Sequence, residues 1–354
     1  MVGESGFDVA WTAAGDTQIE LVGTSGVDVS KHAVDRRTSA RFRGLAPGRT
    51  YRYRLSAGGR MRAEHDVRTA PPAGTPFRFV ALGDSGSASP EQLAIAARMA
   101  DARPDLIVHT GDLIYPKGTP TEYGRKFYQP YQAMIVSIPF YPCIGNHDYS
   151  ADEGRPMLEE FILPENGPAG ETPERHYWFD YSHVRFVAID SNIPRQRLAD
   201  VVAPWLDSVL AEADRRGLAK VVFFHHPPYS SGPYGGTHRM RLTIVPALDR
   251  HRAELVLNGH NHAYERTQPL RGGVIVAANE GTVYVTTGAG GGELYEPAAM
   301  PEPELAKSHY GKHSFTVVDV DATRMVVRQI NIEGVIVDEF DIPLRAAATS
   351  RPAA

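Results

Sequence analysis

Five short polar clusters gather side chains that could together bind a metal ion or move a proton. They are Gly83-Asp84, Gly111-Asp112 with Tyr115 shortly after, Gly145-Asn146-His147-Asp148, His225-His226, and Asn258-Gly259-His260-Asn261-His262. Carboxylate, phenol, amide and imidazole groups are the metal ligands this chain has available. With a single cysteine, Cys143, the chain can build neither a thiolate cluster nor an internal disulfide. Taken one at a time, each residue has an ordinary structural use. Asp84 could end a turn, Asn146 beside Gly145 could supply a left-handed turn, His225 could be a core histidine, His260 and His262 a surface turn, and Cys143 a small buried hydrophobe.

What joins the clusters is the element that precedes each one. The apolar runs 77–82, 105–110, 140–144, 220–224 and 253–257 have the length and composition of buried strands, and each ends in one cluster. Open α/β sheets bind ligands at the carboxyl edge of their strands. Five strand ends carrying metal-capable residues toward that edge make independent turn roles an improbable coincidence. Glycine at four of the turns removes Cβ and lets backbone close on a crowded centre.

The remaining elements fit the same layered plan. Ser89-Pro90-Glu91-Gln92 predicts a capped helix start, with Leu93, Ala96, Ala97 and Ala100 as its apolar positions. Residues 203–216 predict a second amphipathic helix with Trp205, Leu206, Val209, Leu210 and Ala213 on one face. Strands alternating with helices from Phe77 onward predict an α/β domain over 73–345, with an excursion at 150–176 and β-hairpins after Ser314 completing a sheet. Residues 1–72 read as short alternating strands, similar to a small all-β fibronectin type III-like sandwich, and 346–354 as a disordered tail.

In this order, Gly83-Asp84-Ser85-Gly86, Gly111-Asp112-Leu113-Ile114-Tyr115, Gly145-Asn146-His147-Asp148, Val222-Phe223-Phe224-His225 and Gly259-His260-Asn261-His262 resemble the five-block signature of the calcineurin-like metallophosphoesterases. Tyr115, with His260-Asn261-His262-Ala263-Tyr264-Glu265-Arg266, narrows the resemblance to the purple acid phosphatase branch. The similarity covers nearly the whole chain, including Thr286-Thr287-Gly288-Ala289-Gly290-Gly291-Gly292, a run suited either to a flexible loop or to close packing beside the metals. It implies a layered sandwich of two mixed sheets flanked by helices.

The resemblance also implies two metal ions. Asp84, Asp112, Tyr115 and His262 would hold the first, and Asp112, Asn146, His225 and His260 the second. A shared Asp112 would keep the ions about 3.5 to 4 Å apart, the spacing that suits an in-line displacement. The Tyr115 phenolate suits Fe(III), and the second donor set accommodates Zn, Mn or Fe(II). The implied reaction is hydrolysis of a phosphate monoester by metal-bound hydroxide, without a phosphoenzyme and with an acidic optimum. His147 would assist the leaving oxygen and Asp148 would orient it. His226 and His238 stand between substrate contact and loop packing, with His238 the further catalytic candidate. Lys117, Arg155, Arg175 and Arg239 stand between substrate contact and solvated charge.

Composition limits the partners. The chain has 354 residues, 42% hydrophobic and 22% charged, with a formal net charge of -5. That describes a protein with a real core and gives no electrostatic reason for a nucleic acid scaffold. A small phosphate ester is the expected partner, no membrane span is expected, and oligomeric state is left open. Neither a basic n-region nor an apolar h-region opens the chain. Localisation is therefore cytoplasmic, or, as the resemblance favours, secreted or periplasmic with any signal peptide absent from this sequence. Purple acid phosphatases often carry disulfides and glycosylation sites that this chain lacks, and Pro116 follows Tyr115 where a small residue is familiar. A phosphodiesterase or nucleotide hydrolase using the same metal pair is the alternative activity. A non-catalytic binding protein is disfavoured by the complete donor set.

Overall fold

The computed structural model describes residues 1–12, 17–24, 28–34, 37–297 and 302–345. Near the N-terminus, Tyr51, Tyr53 and Leu55 alternate with Arg52 and Arg54 to build the strand Thr50–Ala57, which pairs antiparallel with Thr17–Leu21 and Arg60–Arg68. Tyr53 is buried, whereas Arg52 and Arg54 reach across to Asp66 and Glu64 on the neighbouring strand. A second antiparallel sheet runs Val2–Gly3, Gly6–Thr12, Arg37–Arg43, Asp28–Val34. Its strand Asp28–Val34 is absent from the sequence reading, because Asp28-Val29-Ser30-Lys31-His32-Ala33-Val34 carries no clear apolar alternation and is held by its pairing with Arg37–Arg43. This all-β arrangement agrees with the expected fibronectin type III-like class. The Tyr53 hydroxyl donates to the Val136 carbonyl at 2.8 Å, and the Val2 amide donates to the Tyr141 hydroxyl at 3.0 Å, tying these sheets to the rest of the chain.

Two larger mixed sheets follow. The six-stranded sheet has the order Phe140–Pro142, Leu106–His109, Phe77–Leu82, Ser314–Val320, Arg324–Asn331, Ile336–Pro343, parallel among its first three strands and antiparallel beyond. The seven-stranded sheet has Val184–Ile189, Ala219–Phe224, Leu255–Asn258 and Val283–Thr287 as parallel neighbours, flanked by antiparallel strands. Strands buried on both faces read as continuous apolar runs, and Leu106–His109, Val184–Ile189 and Ala219–Phe224 are buried throughout. The sheets meet face to face: Phe79 and Phe186 pack edge to face at 5.2 Å, Tyr141 stacks on Phe179, and Thr316 donates to Thr287 at 3.0 Å.

Helices cover the outer faces. In Pro90–Asp101, the Ser89 hydroxyl caps the Gln92 amide at 3.1 Å as expected. The inward face is Gln92, Ile95, Ala96 and Met99: of the expected positions Ala96 is buried and Ala100 packs partly against the core, whereas Leu93 is 45% exposed and Ala97 is also exposed. The rotation follows from Gln92, whose buried amide donates to the Lys126 carbonyl at 2.7 Å and fixes which side meets the core. In Ala203–Arg215 the buried residues are Leu206, Val209, Leu210 and Ala213, with Trp205 at the margin donating to the Asn166 carbonyl. Among the described residues no helix is long and apolar enough to cross a membrane. The tail expected at 346–354 lies outside the described residues.

Candidate metal centre

The five strand ends come together where the carboxyl edges of the two sheets meet. Gly83 donates to the Thr287 carbonyl and Gly259 to the His225 carbonyl, while Asp84 donates to the Gly111 carbonyl at 2.9 Å. Glycine is required by space. A Cβ on Gly111, whose φ is +94°, would lie 2.7 Å from the Gly145 backbone, and one on Gly259 would lie 2.4 Å from an Asp84 carboxylate oxygen. Asp84, Asp112 and His260 themselves adopt left-handed backbone, with φ of +57°, +58° and +70°. Such conformations cost free energy and cluster where a site dictates side-chain direction.

The side chains fall into two groups. The Tyr115 hydroxyl lies 3.3 Å from Asp84, 3.2 Å from Asp112 and 2.8 Å from His262 Nε2. Asn146 Oδ1 lies 2.8 Å from His225 Nε2 and 2.9 Å from His260 Nδ1. Asp112 touches both groups, since its Oδ2 is also 3.4 Å from His225 Nε2. One donor atom each from Asp84, Asp112 and His225 lie within 4.8 Å of one another. The Thr110 carbonyl accepts from His225 Nδ1 at 2.9 Å and the Glu293 carbonyl from His262 Nδ1, so each ring turns its Nε2 toward the centre.

Both carboxylates are fully buried, at 0 and 1% exposure, and among the described residues no lysine or arginine forms an ion pair with either. Burial raises the pKa of Asp84, but His225, His262 and His260 outweigh it and hold that carboxyl below its ordinary value. At Asp112 burial prevails over His225, with Asp84 adding to the rise. Burial, then Asp112 and Asp84, push the Tyr115 phenol well above its usual range. A phenolate beside two carboxylates needs a cation, and the donor set fits one.

His147 stands next to this centre. Its amide donates to Asp112 at 2.8 Å, its ring packs edge-on against Tyr115 at 4.6 Å, and its Nδ1 donates to the Pro116 carbonyl at 2.6 Å. The ring is therefore oriented by Pro116 and not, as expected, by Asp148. The Asp148 carboxylate is buried and accepts the backbone amides of Leu113, Ile114 and Gly145, each at 3.1 Å. It pins the loop of Asp112 to the loop of Asn146 and is a positioning residue. Burial and the Asp112 charge push it up to about 7. His238 is exposed at the start of helix His238–Thr243 and, among the described residues, hydrogen-bonds to none of the seven donors.

Of the cations, Arg175 is buried against Asp190 at 2.5 Å, Arg155 pairs with Asp152 and Glu159 at the surface, and Lys117 is exposed. Arg239 is half-buried beside His226. The sequence reading missed a sixth strand end, Asp190-Ser191-Asn192 after Val184–Ile189, where Ser191 holds His226 and Asn192 donates to the Ile144 carbonyl. The rule applied to the other five strands would have found it. It also missed two aromatics in glycine-rich loops that have no periodic signal: Tyr234, 62% exposed with its ring 4.9 Å from His260, and Tyr295, stacked on His262 at 4.0 Å.

Residues 77–264 match the calcineurin-like phosphoesterase family. Purple acid phosphatase 15 of Arabidopsis thaliana is 27% identical over 312 residues, covering 75% of this chain and 58% of that protein. Tartrate-resistant acid phosphatase type 5 of Sus scrofa is 23% identical over 335 residues, covering 81% of this chain and 92% of that protein. This chain thus spans less than two thirds of the Arabidopsis protein and nearly all of the Sus scrofa one. A purple acid phosphatase from yellow lupin (Lupinus luteus) seeds superposes with a TM-score of 0.84 at 20% identity, over 99% of this chain and 76% of that one, and so shares the fold. The chain belongs to the calcineurin-like phosphoesterase family, and its relatives within that family include purple acid phosphatases.

Proposed function

We propose that the chain hydrolyses phosphate monoesters at two metal ions, the first held by Asp84, Asp112, Tyr115 and His262 and the second by Asp112, Asn146, His225 and His260. The observation that carries the reading is the pair of fully buried carboxylates, unpaired by lysine or arginine among the described residues, around which the other five donors fall into two groups sharing Asp112. Bound there, a metal pair would supply Lewis acidity and lower the pKa of water far below its bulk value, to about 7. Fe(III) in the first position with Zn, Mn or Fe(II) in the second is the combination that the Tyr115 phenol and the N,O donor set favour.

The chain's own residues supply the rest. Asp148 fixes the two loops that present Asp112 and Asn146, so both donors are in place before substrate arrives. His147, with its Nδ1 proton committed to the Pro116 carbonyl, would as the imidazolium give its Nε2 proton to the departing alkoxide and be left neutral. The relatives named as acid phosphatases support the monoester reading over the diester alternative.

The test combines metal analysis, a visible spectrum and a pair of substrates. The expected protein holds two metals, shows a tyrosinate-to-iron band that disappears in Tyr115→Phe, and prefers p-nitrophenyl phosphate to bis(p-nitrophenyl) phosphate. Asp112→Asn loses both ions. A colourless active enzyme containing only divalent metal would remove iron from the assignment, and preference for the diester would transfer the activity to the alternative.

A further inference from the structure

Among the described residues Arg239 is a cation without a carboxylate partner. One of its terminal nitrogens donates to the Ser191 carbonyl at 2.6 Å and lies 3.5 Å from His226 Nδ1, while its buried Nε has no hydrogen-bond partner among the described residues. Among the described residues it forms no ion pair, and Asp190, the acidic group whose field reaches it, is committed to Arg175. Taking a guanidinium half out of water and leaving it unpaired is costly, and an arginine fork is the side chain best shaped to bind a phosphate or carboxylate.

The neighbour turns the same way. Ser191 Oγ lies 2.8 Å from His226 Nδ1, and Ser191 also accepts the His226 amide at 3.1 Å. A guanidinium N–H can only donate, so Nδ1 is the acceptor and the ring proton sits on Nε2. The His226 ring is 4.6 Å from that of His260, so the guanidinium is one imidazole removed from the second group of donors. At that remove it stands beside the donors and not among them.

We infer that Arg239 and His226, held by Ser191, form a subsite for a second anionic group on the substrate, a phosphate or carboxylate close to the phosphate that reacts. This rests on the proposed phosphoesterase reading. It makes compounds with two neighbouring anionic groups, such as diphosphates and phosphorylated carboxylic acids, better substrates than esters of a neutral alcohol.

The experiment titrates the metal-loaded protein calorimetrically with three non-hydrolysable probes, methylphosphonate, methylenediphosphonate and phosphonoacetate, and measures metal content after each titration. Arg239→Gln is expected to weaken methylenediphosphonate at least tenfold more than methylphosphonate, with Arg239→Lys between it and the unmodified protein. An equal loss for phosphonoacetate would assign the subsite to any second anion, and a loss confined to the diphosphonate would assign it to phosphate. Equal effects on all three probes, in variants whose unfolding midpoint is retained, would overturn the subsite. A protein that binds no probe and hydrolyses no phosphate ester would overturn the phosphoesterase reading itself.

Discussion

His147 and Asp148 are adjacent, and the fold gives them opposite work. The ring of His147 is half-buried beside Tyr115, where it can meet substrate, whereas the Asp148 carboxylate is sealed between three backbone amides. Replacing His147 by Gln should therefore keep both metals and lower kcat by about 10² to 10⁴, most for alkyl phosphates whose leaving oxygen needs a proton. Steady-state kinetics on alkyl and p-nitrophenyl esters, with metal analysis, checks this; equal losses on both esters would deny the proton-donor role. Asp148→Asn removes an acceptor from amides that stay buried, so it should release metal and lower stability by about 1 to 3 kcal/mol, seen as a lower midpoint in denaturant. The residue types at this site were legible in the sequence because their places after apolar runs are regular. Their division of labour was not, since two consecutive residues at the start of the short helix Asn146–Tyr149 point in different directions.

Among elements, the helix Pro90–Asp101 shows how far pattern reaches. Its cap was readable because the Ser89 to Gln92 bond is local, but alanines on several faces left its rotation undefined until Gln92 met Lys126. Ile95, fully buried, should cost about 2 to 5 kcal/mol when cut to Ala, and the 45% exposed Leu93 no more than about 0.5 kcal/mol. Denaturant unfolding of the two variants decides, and a larger cost at Leu93 would contradict the observed face. The strand-end turns make a sharper demand. Gly111→Ala places a methyl group 2.7 Å from the Gly145 backbone at a φ of +94°, so it should lose about 1 to 3 kcal/mol and shed metal, whereas an unstrained surface turn would tolerate it.

Over the whole molecule, the buried His176 contributes to the response to acid. His176 is fully buried, its Nε2 has no hydrogen-bond partner among the described residues and lies 4.0 Å from the Glu171 carboxylate, and burial, with Arg175 and Arg197, lowers it to about 3 from an ordinary 6.5. A histidine whose folded pKa is depressed stabilises the fold above the unfolded value and loses that contribution as pH falls toward the folded one. The contribution is at most about 4 to 5 kcal/mol, of which roughly 2 is lost between pH 6.5 and 5. In His176→Asn the unfolding free energy should fall less steeply over that interval. Parallel curves for the two proteins would remove His176 from the acid response.

The sequence by itself determined the layered α/β class, the helix cap and five strand ends bearing donors, because each is written in local periodicity and in residue types that few other uses explain. Tertiary structure decided what depends on which strand ends face one another. It set Asp112 between two groups of donors, gave the orientation of His147 to Pro116, reserved Asp148 for backbone, and brought Ser191, Tyr234, Tyr295 and Arg239 to the same edge. Those residues come from segments far apart in the chain, and only the parallel register of the strands, with the close approach that glycine allows, puts them side by side.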